Sequence, residues 1–96
     1  MGVVENNIYE VPNVLKEQNK ALDAVIIATD NAGIYKINKE DLFIVWSCYI
    51  LGHRKFLVGC KTNDRYYEVT YNNLKEEWYV DIYKKTYNLA IKNDDF

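Results

Sequence analysis

The sequence predicts an α+β fold: one N-terminal amphipathic helix packed on an antiparallel meander of four to five strands. Three observations predict it. Apolar residues recur at helical spacing between Leu15 and Thr29 and at no later point. From Ile34 onward, β-branched and aromatic residues alternate with polar ones. The alternating runs are separated by turns too short for a crossover, so consecutive strands must be antiparallel neighbours. A chain of 96 residues holds one core and excludes a two-domain enzyme, because single domains commonly run to about 100–150 residues.

Residues 1–12 include Asn6, Asn7 and Pro12 and show no sustained period. They read as an extended arm, with Pro12 disfavouring helix at Val11. A single domain spans 13–92. Asn13 is suited to cap a helix whose apolar face runs through Leu15, Leu22, Val25, Ile26 and Thr29, with Lys16, Glu17, Lys20 and Asp23 elsewhere. Asn31 to Gly33 should end it, since Asn and Gly tolerate the left-handed cap. The β-branched run Val25-Ile26-Ile27 weakens its last turn.

Ile34 to Ile37 reads as a short extended piece and Asn38 to Asp41 as a charged turn. The run Leu42 to Ile50 is apolar at both alternating positions, the pattern of a central strand covered on both sides. Leu51 to Arg54, with Gly52 at the bend, should turn the chain. A second strand carries Phe56, Val58 and Cys60 on one face, and Thr62, Asn63 and Asp64 follow as a polar turn. A third alternates Tyr67, Val69 and Tyr71 with Tyr66, Glu68 and Thr70. A fourth sets Trp78, Val80 and Ile82 against Tyr79, Asp81 and Tyr83. Tyr87, Leu89 and Ile91 are either a short fifth strand or an irregular tail, and residues 93–96 should fray.

The helix is expected over Trp46, Cys48, Phe56, Val58, Tyr67, Val69, Trp78, Val80 and Ile82. The opposite face would then bear Phe43, Val45, Tyr49, Leu57, Tyr66, Tyr79 and Tyr83, which is too apolar for an idle solvated sheet. Nine tyrosines, two tryptophans and three phenylalanines exceed what one small core needs. Tyrosine suits a wet interface, having an apolar ring and a hydroxyl for the rim. The candidate partner-binding set is Tyr49, Tyr66, Glu68, Tyr79, Asp81 and Tyr83. Three coverings fit this face: the arm or tail of the same chain, a second copy in a homodimer through the sheet or an edge strand, or a separate protein or small ligand.

No catalytic constellation is apparent. The two cysteines, Cys48 and Cys60, lie in apolar runs and read as buried thiols in a reducing compartment. The lone His53 sits in a turn, no ligand spacing for a metal occurs, and four glycines form no phosphate loop. Glu68 and Asp81 read as polar anchors of a recognition face ahead of a two-carboxylate active site. The expectation is therefore a non-enzymatic protein needing no cofactor. A net charge of -2 argues against duplex nucleic acid as partner. Arg54, Lys55 and Arg65 cluster around the second strand and leave a small nucleotide as an alternative ligand. No run reaches the roughly 18 apolar residues of a membrane helix, and the N-terminus lacks a signal-peptide pattern, so the expected location is the cytoplasm.

The stretch Ile37-Asn38-Lys39-Glu40-Asp41-Leu42-Phe43-Ile44-Val45-Trp46-Ser47-Cys48, the strand Tyr66-Tyr67-Glu68-Val69-Thr70-Tyr71 and the block Val80-Asp81-Ile82-Tyr83-Lys84-Lys85 carry a resemblance. They resemble a family of small uncharacterised proteins encoded by phages and prophages of Gram-positive bacteria, over roughly residues 13–92. The resemblance implies an accessory phage product in a host bacterial cytosol and brings no catalytic residues. The leading functional expectation is a protein that inhibits or redirects a host defence or replication protein by binding it. The alternative is a dimeric protein that sequesters a small ligand or nucleotide signal.

Overall fold

A computed structural model gives the fold and describes residues 15–34 and 36–96. The arm expected over 1–12 and the cap expected at Asn13 lie outside the described residues.

The described part of helix α1, residues 15–31, seats a ridge of small and β-branched side chains on the sheet. Ala21, Val25 and Thr29 are buried, four residues apart, so they stack along one helix face. Thr29 satisfies its hydroxyl by donating to the Ile26 carbonyl at 3.0 Å, and a polar group is buried there without loss. Leu22 and Ile26 flank the ridge, whereas Leu15, expected on the same face, is exposed. The helix ends as the sequence requires. The Ile34 amide donates to the Thr29 carbonyl at 3.1 Å and the Gly33 amide to Asp30 at 3.2 Å. This pair of bonds is the Schellman closure, with Gly33 supplying the left-handed residue at φ 74°.

A 3-10 turn at Lys39–Asp41 then leads into the sheet. It is tied to α1 by Lys39 Nζ and Asp23 Oδ1 at 2.7 Å and to the sheet by Lys61, whose amide donates to the Asp41 carbonyl at 2.9 Å. Four antiparallel strands follow in spatial order β1-β2-β3-β4: β1 (Leu42–Ile50), β2 (His53–Cys60), β3 (Arg65–Asn72) and β4 (Glu77–Lys84). The α+β meander is thus as the sequence indicates. The turns follow local chemistry. Leu51 and Gly52 both take positive φ (51° and 81°), the sign pattern of a two-residue type I′ hairpin. The Asn63 side chain accepts from the Arg65 amide at 2.9 Å, and Asn72 accepts from the Leu74 and Lys75 amides at 3.0 and 3.1 Å.

The core lies between α1 and the two middle strands. Phe56 and Val58 on β2 and Tyr67 and Val69 on β3 are fully buried, joined by Val25, Ile37 and Leu42. Trp78 closes one side, its ring centroid 6.1 Å from Phe56 and 4.7 Å from Tyr71.

β1 departs from expectation in two respects. It is an edge strand, not a central one, because a plain meander leaves the first strand unpaired on one side; of its nine residues only Leu42 is buried. Its two apolar faces have another cause. Ile44 pairs with Val58 but Trp46 pairs with Leu57, so Val45 is an extra residue and the register shifts there. A bulge of one residue reverses the alternation that follows it. Trp46 and Cys48, expected beneath the helix, therefore share the outer face with Leu57 and Lys55, and Tyr49, expected outside, joins Arg54 on the helix side.

After β4 the chain forms no fifth strand. Residues 85–92 are irregular, and Tyr87, Leu89 and Ile91 are all exposed. The end carries a 3-10 turn at Asn93–Asp95, in which the Lys92 amide donates to Asp95 Oδ2 at 3.2 Å, with every residue exposed.

Candidate functional site: the outer sheet face

The four strands line up their outward side chains in cross-strand rows. One row runs Phe43, Gly59, Tyr66, Tyr83; the next runs Trp46, Leu57, Glu68, Asp81; a third runs Cys48, Lys55, Thr70, Tyr79. No described segment covers them: Phe43, Trp46, Tyr66, Tyr79 and Tyr83 are each 41–52% exposed, and the tail does not bury against the sheet. With strands about 4.8 Å apart and about 3.3 Å per residue, the face spans on the order of 500 Å². Only part of it is apolar, because Lys55, Glu68, Thr70 and Asp81 lie within it, and a contiguous apolar patch of a few hundred Å² on a soluble monomer is often functional.

Gly59 has a packing role in the first row. A Cβ there would lie 2.5 Å from the tip of the Phe43 ring, so the absent side chain lets the ring lie flat across β2. The face thus begins at β1 as a smooth apolar surface of Phe43, Trp46 and Leu57. It becomes polar toward β4. Glu68 and Asp81 stand directly opposite each other, an unfavourable like-charge pairing that Lys55 relieves by holding Glu68 Oε1 at 3.2 Å. Asp81 is exposed and has no ion-pair partner among the described residues.

Tyr79 donates its hydroxyl to Glu77 Oε1 at 2.6 Å. That carboxylate bond, first, and then desolvation and the Glu77 charge raise the Tyr79 pKa above 10.0. A proton held more tightly in the folded chain stabilises the fold below the unfolded tyrosine pKa, and the contribution is lost as pH rises through the folded one. Glu77→Gln should therefore bring Tyr79 ionisation back toward the usual range. Absorbance at 295 nm in alkaline titration, with Tyr79→Phe identifying the signal, measures the change.

The structure brings together Tyr66, Glu68, Tyr79, Asp81 and Tyr83 of the expected set and adds Trp46, Cys48 and Phe43. It places Tyr49 elsewhere, on the helix side, with the Arg54 guanidinium 5.5 Å from its ring centroid. The three basic residues considered for a nucleotide do not converge. Arg54 is committed to Glu17 at 2.8 Å beside a cleft of about 120 Å³, well below the roughly 300 Å³ at which small-molecule sites begin. Lys55 is on the outer face with Glu68, and Arg65 pairs across to Lys84 at the far end of β3. Cys48 and His53 occupy neighbouring rows of the outer face without a hydrogen bond between them, and the His53 Nδ1 atom is buried without a partner. Cys60 is buried and contacts Thr62 Oγ1 at 3.3 Å. Among the described residues no group of His, Cys, Asp and Glu is arranged to hold a metal ion, and no helix is long and apolar enough to cross a membrane.

Residues 13–93 match the family model described as a family of unknown function (DUF6275). No curated protein matches the chain, and no solved structure does.

Proposed function

The chain belongs to the DUF6275 family, whose function is unknown, and from that premise we propose that it acts without catalysis, by binding a protein through its outer sheet face. The observation that carries this reading is the uncovered run of Phe43, Trp46, Leu57, Tyr66 and Tyr83 beside the unpaired Asp81. Large aromatic anchors next to a few polar groups are the composition from which binding hot spots are made. The gradient across the face suits a partner with an apolar patch to lie over Phe43 and Trp46, flanked by a Lys or Arg that reaches Asp81. The motifs at 37–48 and 66–71 resemble phage and prophage products of Gram-positive bacteria, which favours an accessory protein acting in the bacterial cytosol on a host defence or replication protein.

Capture from a lysate of such a bacterium, with the bound protein identified by mass spectrometry and its affinity then measured directly, tests the reading. Trp46→Ala combined with Tyr66→Ala should weaken binding about 100-fold or more, as paired hot-spot truncations do, while circular dichroism stays unchanged. Unaltered affinity in a folded double variant would remove the face from consideration.

A further inference from the structure

The β4 side of the molecule is left unfinished by a single chain. Trp78, Val80 and Ile82 point toward the helix layer yet are only half-buried, although Val69 and Tyr67, the ladder partners of Val80 and Ile82 on β3, are fully buried. Beside them a groove of about 440 Å³ opens between α1 and β4, with Ala24, Ile27 and Ala28 on one wall and Trp78 and Val80 on the other. Ile27 at its lip is 61% exposed. β4 is also the last strand of the sheet, and its outward backbone edge has no strand partner among the described residues. Its two ends carry opposite charge: Glu76 and Glu77 at the start, Lys84 and Lys85 at the finish.

We propose that the occupant is a second copy of this chain, its β4 pairing antiparallel with β4 about a twofold axis to make an eight-stranded sheet with both helices on one face. A twofold antiparallel pairing sets the start of each strand against the end of the other, so the charges at the ends are self-complementary. To keep each side chain on its own face, even positions must oppose even ones. The register centred on Val80 places Val80 opposite the partner's Val80 and Trp78 opposite the partner's Ile82, apolar against apolar. It also sets Tyr79 opposite the partner's Asp81 and Glu77 opposite the partner's Tyr83, each twice, and carries Glu76, in the turn just before the strand, toward the partner's Lys84. Sliding by one permitted step centres Asp81 on its own copy in one direction and sets Glu77 opposite the partner's Asp81 in the other, and these like-charge pairings disfavour both registers.

The same operation brings the two grooves together. Ala24 and Ala28 present small side chains on the groove wall, allowing close approach of the helices, and Ile27 gains an apolar site. The outer faces join as well, so this inference stands independently of the proposed partner and would double the surface offered to it.

Light scattering on the full chain across a concentration series tests the proposal. The expected result is a dimer mass for the native sequence. Lys84→Glu with Lys85→Glu should raise the dimer dissociation constant about 10- to 100-fold, and so should Glu76→Lys with Glu77→Lys, since each leaves both ends of the paired strands with charge of one sign. All four positions are exposed, so the fold should be unaffected. Mixing the two variants should restore a dimer, because every end then meets its opposite. A native chain that stays monomeric throughout overturns the proposal, as does a dimer indifferent to both charge reversals. A monomer that releases a small molecule on denaturation also overturns it, by assigning the groove to a ligand.

Discussion

Phe56→Ala should remove about 3–5 kcal/mol of stability, as truncation of a buried aromatic does when the surroundings only partly collapse. Phe56 is 1% exposed and sits in a row with Val69 and Val80, its ring over Trp78. Deleting the ring removes the common neighbour of β2, β3 and β4 at the point where α1 seats Val25. A domain of this size has only about 5–15 kcal/mol in all, so the variant should unfold at much lower urea with an unchanged slope. Trp46→Ala deletes a larger side chain, but one that is 43% exposed, and should cost about 2 kcal/mol, less than Phe56→Ala. Equal losses from the two would mean that the outer face is part of the core.

That contrast could not have been drawn from the sequence, which assigns Trp46 to the helix side. The alternations of β2, β3 and β4 are legible because each is half apolar and half polar and keeps a regular register from end to end. Their polar positions label the outside. In LFIVWSCYI only Ser47 is polar, so the run carries no label, and a bulge at Val45 leaves no trace of the glycine or proline kind. The assignment of Trp46, Cys48 and Tyr49 therefore inverted as a block, and the same uniform hydrophobicity made an edge strand read as a central one. Tyr66, Glu68, Tyr79, Asp81 and Tyr83 lie on the outer face as their alternation indicates, because their strands carry no bulge. Ala21, on the seated helix ridge, is not legible in the sequence because its small side chain gives a weak hydrophobic signal. The pairing of Glu17 with Arg54, and hence the withdrawal of Arg54 from any ligand, depends on where α1 crosses the sheet, which no local pattern records.

The other large effect is expected at the helix. Val25 is wholly buried, and Val25→Asp would place a carboxylate inside the core cluster that also holds Phe56, Val58 and Val69. An ionised group without a partner in such a site costs several kcal/mol, so it neutralises instead and its pKa moves up. The sign then runs opposite to ordinary acid denaturation. A carboxyl whose folded pKa lies above its unfolded one binds a proton more tightly in the native state, so stability recovers as pH falls through the folded pKa and is poorest above it. The Val25→Asp chain should lose about 3–5 kcal/mol at neutral pH and regain part of it on mild acidification, where the native chain gains nothing comparable. Val25→Asn, equally polar but without a titrating group, separates the two contributions: it should be destabilised without the recovery. Thermal denaturation of the three chains at neutral and mildly acidic pH decides the matter. If Val25→Asp recovers no stability on acidification relative to the native chain, residue 25 is not enclosed, and α1 does not seal the core by way of the 21-25-29 ridge.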